Sequence, residues 1–347
     1  MTDTAPHIEI LAPGAYASLQ DAGRRGWRRI GVPWAGVLDA RLMRIANTLA
    51  GNAENAPVIE CFDGGLHLAA RGGALRVAVA GDAAVELESG GERRPLAAWR
   101  SVTLADGEQL RIRRMNSGRI AVVAVAGLAV PAVLGSAATY PRALLGGLDG
   151  RALAAGARLP AAAPSGPERV LGTPPADDDG PLRAMPGPQD DHFSSEALET
   201  FFSADYRVSA QADRMGVRLE GSALAHLGAR EIISDATVPG SVQVPGNGLP
   251  IVLMADAQTA GGYPKIATVI GADLPRLAQA RPGETLRFAR VDAAAGEAAA
   301  RAREAETRRL LAAIRPLAGG IDLAALYAAN LAGDAVHALA PEYRPLN

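Results

Sequence analysis

Arg76-Val-Ala-Val-Ala-Gly-Asp-Ala-Ala-Val-Glu-Leu-Glu88 sets the fold class of this chain. Two apolar runs, Arg76 to Ala80 and Ala84 to Glu88, flank the turn pair Gly81-Asp82, which is the pattern of a β-hairpin. Ser101 to Leu104 and Gln109 to Arg113 repeat it around Asp106-Gly107, and the valine-rich Arg119 to Val125 follows. Toward the N-terminus one helix interrupts the β pattern, from about Asp39 to Ala50. Leu42, Ile45, Ala46 and Leu49 recur there at i, i+3, i+4 and i+7, with Asp39 as N-cap and Gly51 as the C-terminal stop.

Downstream, Pro160 to Pro188 is crowded with proline and glycine and carries Asp177-Asp178-Asp179, a composition that buries too little apolar surface to order itself. It reads as the connection between two lobes, mobile around Pro174 to Gly180. The acidic triplet lacks the alternating spacing of calcium loops and reads as a solvated tract. Past it, Ser194 to Phe202 is a short serine-capped helix. Tyr206 to Ser209, Val217 to Leu219, Ser241 to Val244, Ile251 to Ala255, Ile266 to Ile270 and Thr285 to Phe288 are strands. Asp292 to Ile314 is Ala/Glu/Arg-rich and helical by propensity, placed either to cap the second lobe or to dock a partner. The expected organisation is an N-terminal β lobe over 8–160, a linker over 161–190, a C-terminal β lobe over 191–290 and a helical tail over 291–347.

Composition removes several function classes. A formal charge of -2 and a pI near 6.2 leave no electrostatic footprint for nucleic acid or an anionic membrane. The apolar run Ile120 to Val133 contains glycine and proline and is too short to span a bilayer. Cys61 is the only cysteine, and the start, Met1 to His7, lacks a signal-peptide pattern, so a cytoplasmic location is expected. No P-loop, Rossmann fingerprint or G-x-S-x-G elbow is present, and the five histidines have no partner at metal-ligand spacing.

What remains is one lysine among 35 basic residues. Lys265 ends the densest polar stretch, Asp256-Ala-Gln-Thr-Ala-Gly-Gly-Tyr-Pro-Lys265. A coding bias that favours arginine leaves an ammonium where a compact point charge is required. An acid at a strand end, a Gly261-Gly262 turn exposing amide N–H groups, the aromatic Tyr263 and an ammonium are the parts of an oxyanion-stabilising site. Lys265, Asp256, Gly261 and Gly262 are therefore the catalytic candidates. Gln243, Thr259 and Tyr263 are candidate substrate-binding residues beside them. In Asp213-Arg214-Met-Gly216, Arg214 forks onto a substrate carboxylate or phosphate with Asp213 orienting it, or the two form a structural salt bridge. In Ser18-Leu-Gln-Asp21-Ala-Gly-Arg24-Arg-Gly26 and Gly31 to Asp39, Asp21, Arg24 and Asp39 contact a ligand or simply order a loop.

These segments, in this order, resemble the biotin-dependent carboxyltransferase family typified by allophanate hydrolase subunit 2. The resemblance is carried by S-L-Q-D-A-G-R-x-G, G-V-P-x-x-G-x-x-D and A-N-x-L-x-G-N, by A-D-R-M-G-x-R-L-x-G, and by Q-V-P-x-x-G-x-P-I and D-x-Q-T-x-G-G-Y-P-K-I-A, over about Ile10 to Phe288. It implies a mainly β chain with two cyclophilin-like β-barrel lobes, a few short helices and a C-terminal helix. It further implies a smaller subunit 1 type partner and a third, lactam-opening subunit in an ATP-dependent complex that activates the lactam of 5-oxoproline. ATP is then expected in the complex, and no covalent cofactor in this chain. The alternatives within the resemblance are carboxyl transfer to urea or a related amide, with biotin supplied only by a partner, and a non-catalytic regulator that binds a kinase-inhibiting partner. Ala260 and Ala35 stand where the family commonly has Thr and Ser, so two hydroxyls are missing.

Overall fold

A computed structural model describes residues 5–176 and 178–317, with the backbone of 335–336 and 345–346. The protein is mainly β. Its N-terminal lobe is two sheets face to face. One has six strands, in the order Arg158–Pro160, His7–Pro13, Leu66–Arg71, Gln109–Met115, Ala83–Ser89 and Glu92–Leu96. The other has seven, in the order Tyr16–Gln20, Val58–Phe62, Ile120–Val125, Leu75–Ala80, Arg100–Leu104, Arg169–Leu171 and Ile314–Pro316.

This topology corrects two expected hairpins. Leu75–Ala80 lies in the seven-stranded sheet and Ala83–Ser89 in the six-stranded one, so Gly81-Asp82 carries the chain across the core; Asp106-Gly107 does the same. Val77 and Val79 meet Val85 and Leu87 in one core cluster, facing each other rather than lying side by side. Turn residues allow both outcomes, and the shared buried face decides. The true hairpin here is Ala83–Ser89 with Glu92–Leu96, closed by Gly90-Gly91 at φ 59° and 86°, as a tight turn of positive-φ residues requires.

Strand Ile120–Val125 is buried on both faces. Ala121, Val123 and Val125 fill the space between the sheets, while Ile120, Val122 and Ala124 meet helix α1, Ala40–Ala50. The helix forms as its sequence dictates: the Asp39 carboxylate accepts from the Arg41 and Leu42 N–H groups, and Gly51 ends it at φ 87°. Leu42, Ile45, Ala46 and Leu49 are all buried, each large side chain contributing about 1.5–3 kcal/mol relative to exposure.

The C-terminal lobe is one eight-stranded sheet, in the order Thr285–Leu286, Tyr206–Val208, Gly216–Gly221, Ile251–Leu253, Ser241–Gln243, Lys265–Val269, Leu182–Pro186 and Phe288–Arg290. Its two outermost strands are successive in the chain, so the sheet nearly closes into a barrel. Helix α2, Ser195–Ser203, capped by Ser194, stacks Phe201 on Phe288 at 4.6 Å between ring centroids. Within the stretch expected to be a linker, Arg169–Leu171 joins the first lobe and Leu182–Pro186 the second, burying Leu171 in one case and Leu182 and Ala184 in the other. Asp177 of the acidic run lies outside the described residues.

After the short helix α3, Leu274–Gln279, the long helix α4, Ala293–Ala312, crosses from the second lobe to the first. Arg44 pairs with Glu304 at 2.7 Å, Arg303 with Asp39 at 3.5 Å, and Ile314–Pro316 then adds to Arg169–Leu171. Of the expected tail, residues 318–334 lie outside the described residues.

Candidate functional site

The motif-bearing segments of both lobes converge where the lobes meet. At the base of this region Arg214 is fully buried and donates from Nε and Nη2 to the two Asp256 oxygens at 3.0 and 2.9 Å. Its Nη2 also reaches the Gly36 carbonyl at 2.5 Å, and its Nη1 donates to Glu60. The second Glu60 oxygen accepts from Leu38 N–H at 2.7 Å. Burial opposes the Arg214 charge, but Asp256 and Glu60 outweigh it and raise its pKa; burial pushes the Glu60 carboxyl up against the pull of Arg214. One cation and two anions from two lobes thus form a closed knot, and breaking such a buried pair costs about 3–5 kcal/mol.

This knot revises two expected roles. Arg214 forks onto a carboxylate of its own chain, not onto a substrate, and its donors are committed. Asp213 does not orient it: the Asp213 carboxylate accepts from the Met215 and Gly216 N–H groups and shapes the turn.

Lys265 is 2% exposed, at the start of its strand, and its Nζ lies 2.9 Å from Asp235 Oδ2. The acid that holds the lysine is therefore Asp235, not Asp256. Gln189 braces the pair, donating from Nε2 to Asp235 Oδ2 at 3.0 Å and accepting from Lys265 N–H at 3.2 Å. The Lys265 hydrogen bond, then the Ala236 N–H, hold the Asp235 carboxyl below the usual range. Asp235 is itself the ladder partner of Gly261.

Gly261 and Gly262 do not form a left-handed turn. Gly261 sits in the short strand Ala260–Gly261, and the Gly262 carbonyl accepts from Ile232 N–H. A Cβ at 261 would meet Gln243 Nε2, so a larger residue there would have to displace the Gln243 amide. Gln243 is 3% exposed; its Oε1 accepts from Gln258 Nε2 at 3.1 Å, while its own Nε2 is buried without a partner. Tyr263 is partly exposed at the edge, and the Thr259 carbonyl accepts from Thr237 N–H.

From the first lobe, Asp21 accepts from Ser136 Oγ and Ala137 N–H at 2.6 Å each, ordering the loop rather than pairing with Arg24. Arg24 is completely buried, donating to the Val133 and Ala138 carbonyls, with Nη1 unpartnered. Asp39 caps α1 and lines a cavity of about 850 Å³ with Trp99, Arg276 and Arg303. Lys265, Asp256, Gln243 and Arg214 do not line that cavity, and its arginines answer carboxylates, as in Arg276–Asp178, Arg287–Asp205 and Arg303–Asp39.

The carboxyltransferase domain family, subdomain A and B, matches residues 30–290. The chain belongs to that family. It is 36% identical to the C subunit of the Escherichia coli 5-oxoprolinase and 38% identical to its Haemophilus influenzae counterpart, in each case across 81% of this chain and 90% of the relative. Among solved structures it superposes on the K. lactis urea amidolyase with a TM-score of 0.79 at 25% identity, covering 89% of this chain and 20% of that one. TTHA0988 is 38% identical with a TM-score of 0.71, covering 82% of this chain and 55% of that one. The carboxyltransferase fold is thus met both as a chain of this size and as part of longer ones.

Glu60 and Asp235 escaped the sequence reading. Glu60 gives one signal, being the charged residue of the otherwise apolar strand Val58–Phe62. Asp235 gives none, since its partner Lys265 lies 30 positions away. Among the described residues there is no group of three or more potential metal ligands and no helix long and apolar enough to cross a membrane.

Proposed function

We propose that this chain is the C-type component of an ATP-dependent 5-oxoprolinase complex. Its share of the work is to bind the lactam and stabilise negative charge on the amide oxygen as ATP activates it, for a further subunit to open the ring to glutamate. The observation that carries this is the 36–38% identity to two 5-oxoprolinase C subunits along nearly their whole length. The arrangement supports it chemically. The Lys265 ammonium, fixed by Asp235 and itself 2% exposed, is a donor positioned to stabilise a developing oxyanion more strongly than water would. The proposed assembly is completed by a smaller subunit 1 type protein and by a lactam-opening one. In this scheme the γ-phosphoryl group of ATP passes to the amide oxygen with release of ADP; water then adds at the amide carbon, the ring C–N bond breaks, and phosphate is lost to give glutamate.

The test is glutamate release from 5-oxoproline by the co-expressed proteins, with and without ATP. No ATP-dependent glutamate from an intact, purified complex defeats the reading. Carboxyl transfer to urea is the second reading, favoured by the fold match to the Kluyveromyces lactis urea carboxylase, TM-score 0.80 at 25% identity. Lys265 is the sole lysine and is buried, so a biotinyl group would have to arrive on another chain; retention of the complex on avidin, with urea-dependent turnover, selects that reading.

A further inference from the structure

Arg28 is a cation held in place without an anion. Its Nη2 donates to the Thr237 carbonyl at 2.5 Å and, more weakly, to the Gln258 carbonyl at 3.4 Å. The guanidinium lies 5.4 Å from the Trp34 ring centroid, and Arg25 stacks on the same ring at 4.0 Å. No carboxylate of the described residues pairs with either arginine, and burial alone lowers the Arg28 pKa. Its Nη1 is shielded from solvent and has no hydrogen-bond partner. Partly buried charges ordinarily meet a counter-charge, so an anchored guanidinium with none is suited to receive an anion.

A second donor hangs from the same residue. The Gln258 backbone carbonyl receives Arg28, and the Gln258 side-chain amide donates to Gln243 Oε1. With Gln258 Nε2 as the donor of that bond, Gln243 Nε2 is left as a buried N–H without an acceptor. Thr237, whose hydroxyl donates to the Gln258 carbonyl at 2.5 Å, ties the two together. Arg28 Nη1 and Gln243 Nε2 are thus two unpartnered N–H groups, each on a residue bonded to Gln258 and one of them charged, a combination suited to a carboxylate.

We infer that Arg28 is a specificity residue that grips the carboxylate of the substrate, with Gln243 Nε2 as the second donor. This rests on the 5-oxoproline reading above and deepens it. A neutral lactam would leave the Arg28 charge unanswered, so the carboxylate serves both to tether the ring and to exclude ring amides that lack it.

The assembled complex is assayed with Arg28→Gln and Arg28→Lys. Arg28→Gln is expected to raise KM for the lactam acid by about 10- to 100-fold, the worth of one hydrogen bond to a charged group, with kcat changed by only a few-fold and KM for ATP unchanged. Arg28→Lys should recover part of the loss. An unchanged KM for the lactam acid overturns the assignment, as does a rise confined to KM for ATP, which would give the position to a phosphate. Should the variants fail to assemble, the wild-type complex decides. There 5-oxoprolinamide, with a carboxamide in place of the carboxylate, must inhibit with a constant at least roughly ten times the KM measured for the acid, and equal values refute the carboxylate grip. A wild-type complex that releases no glutamate is a separate result, which removes the functional reading beneath it.

Discussion

A lone ammonium in an arginine-rich chain owes its place to shape. Lys265 places its Nζ 2.9 Å from Asp235 Oδ2 in the separate short strand Asp235–Ala236, a contact a planar guanidinium makes differently. Lys265→Arg is expected to keep the thermal midpoint within a few degrees while lowering turnover of the complex by on the order of 100- to 1000-fold, the usual loss with one oxyanion donor; near-normal turnover would remove Lys265 from the chemistry. Composition singles Lys265 out, and the structure finds it buried and ion-paired. Its partner was not legible: Asp256 and Lys265 share a decapeptide, but the chain reverses between them and delivers the acid to Arg214. Cys61 titrates in a way its sequence does not announce. Burial pushes the thiol up from 9.0 to about 12, so the folded state keeps its proton while the unfolded chain loses it above pH 9. The raised pKa makes this contribution complete below pH 9 and removes it as pH rises toward 12. By about pH 10.5 the loss is about 2 kcal/mol, which urea titration of wild type against Cys61→Ala should show as a steeper alkaline decline in the wild type.

Elements whose causes are local were readable; those that depend on a distant surface were not. Helix α1 has its cap, its apolar stripe and its glycine stop within a dozen residues, and it forms where the pattern places it. Asp39→Ala should cost about 1 kcal/mol through the lost cap, read as a lower urea midpoint at unchanged slope. Because Asp39 also faces Arg303 of α4, raising the salt concentration should narrow the gap between mutant and wild type only slightly, the capping bonds being short-range. The turns at Gly81-Asp82 and Asp106-Gly107 show the other case. A Gly/Asp pair reports that the chain reverses, and not whether the next strand pairs beside the last or crosses to the opposite sheet. Arg169–Leu171 and Leu182–Pro186 were hidden by the prolines around them, since three to five residues of strand leave no period to detect.

At the scale of the molecule the two lobes are chemically one. A single apolar cluster runs from α1 through Leu171 and Leu182 into the barrel interior, and the Arg214 knot draws on both sides. Unfolding should accordingly be one transition. Trp27, Trp34 and Trp99 all lie in the N-terminal lobe, so tryptophan fluorescence follows that lobe while far-UV dichroism follows the whole; coincident midpoints in urea are expected, and two separated midpoints would show the lobes to be independent. The sequence conveyed two β lobes but not their interlocking, because the contacts join residues 150 or more positions apart. One of those long returns bears on biosynthesis. Ile314–Pro316 hydrogen-bonds to Arg169–Leu171, so the margin of the first lobe's larger sheet waits for a strip of polypeptide made after the entire second lobe. A ribosome paused anywhere before codon 314 therefore carries a nascent first lobe with a bare, sticky border, which leaves the emerging chain dependent on uninterrupted translation to cover it.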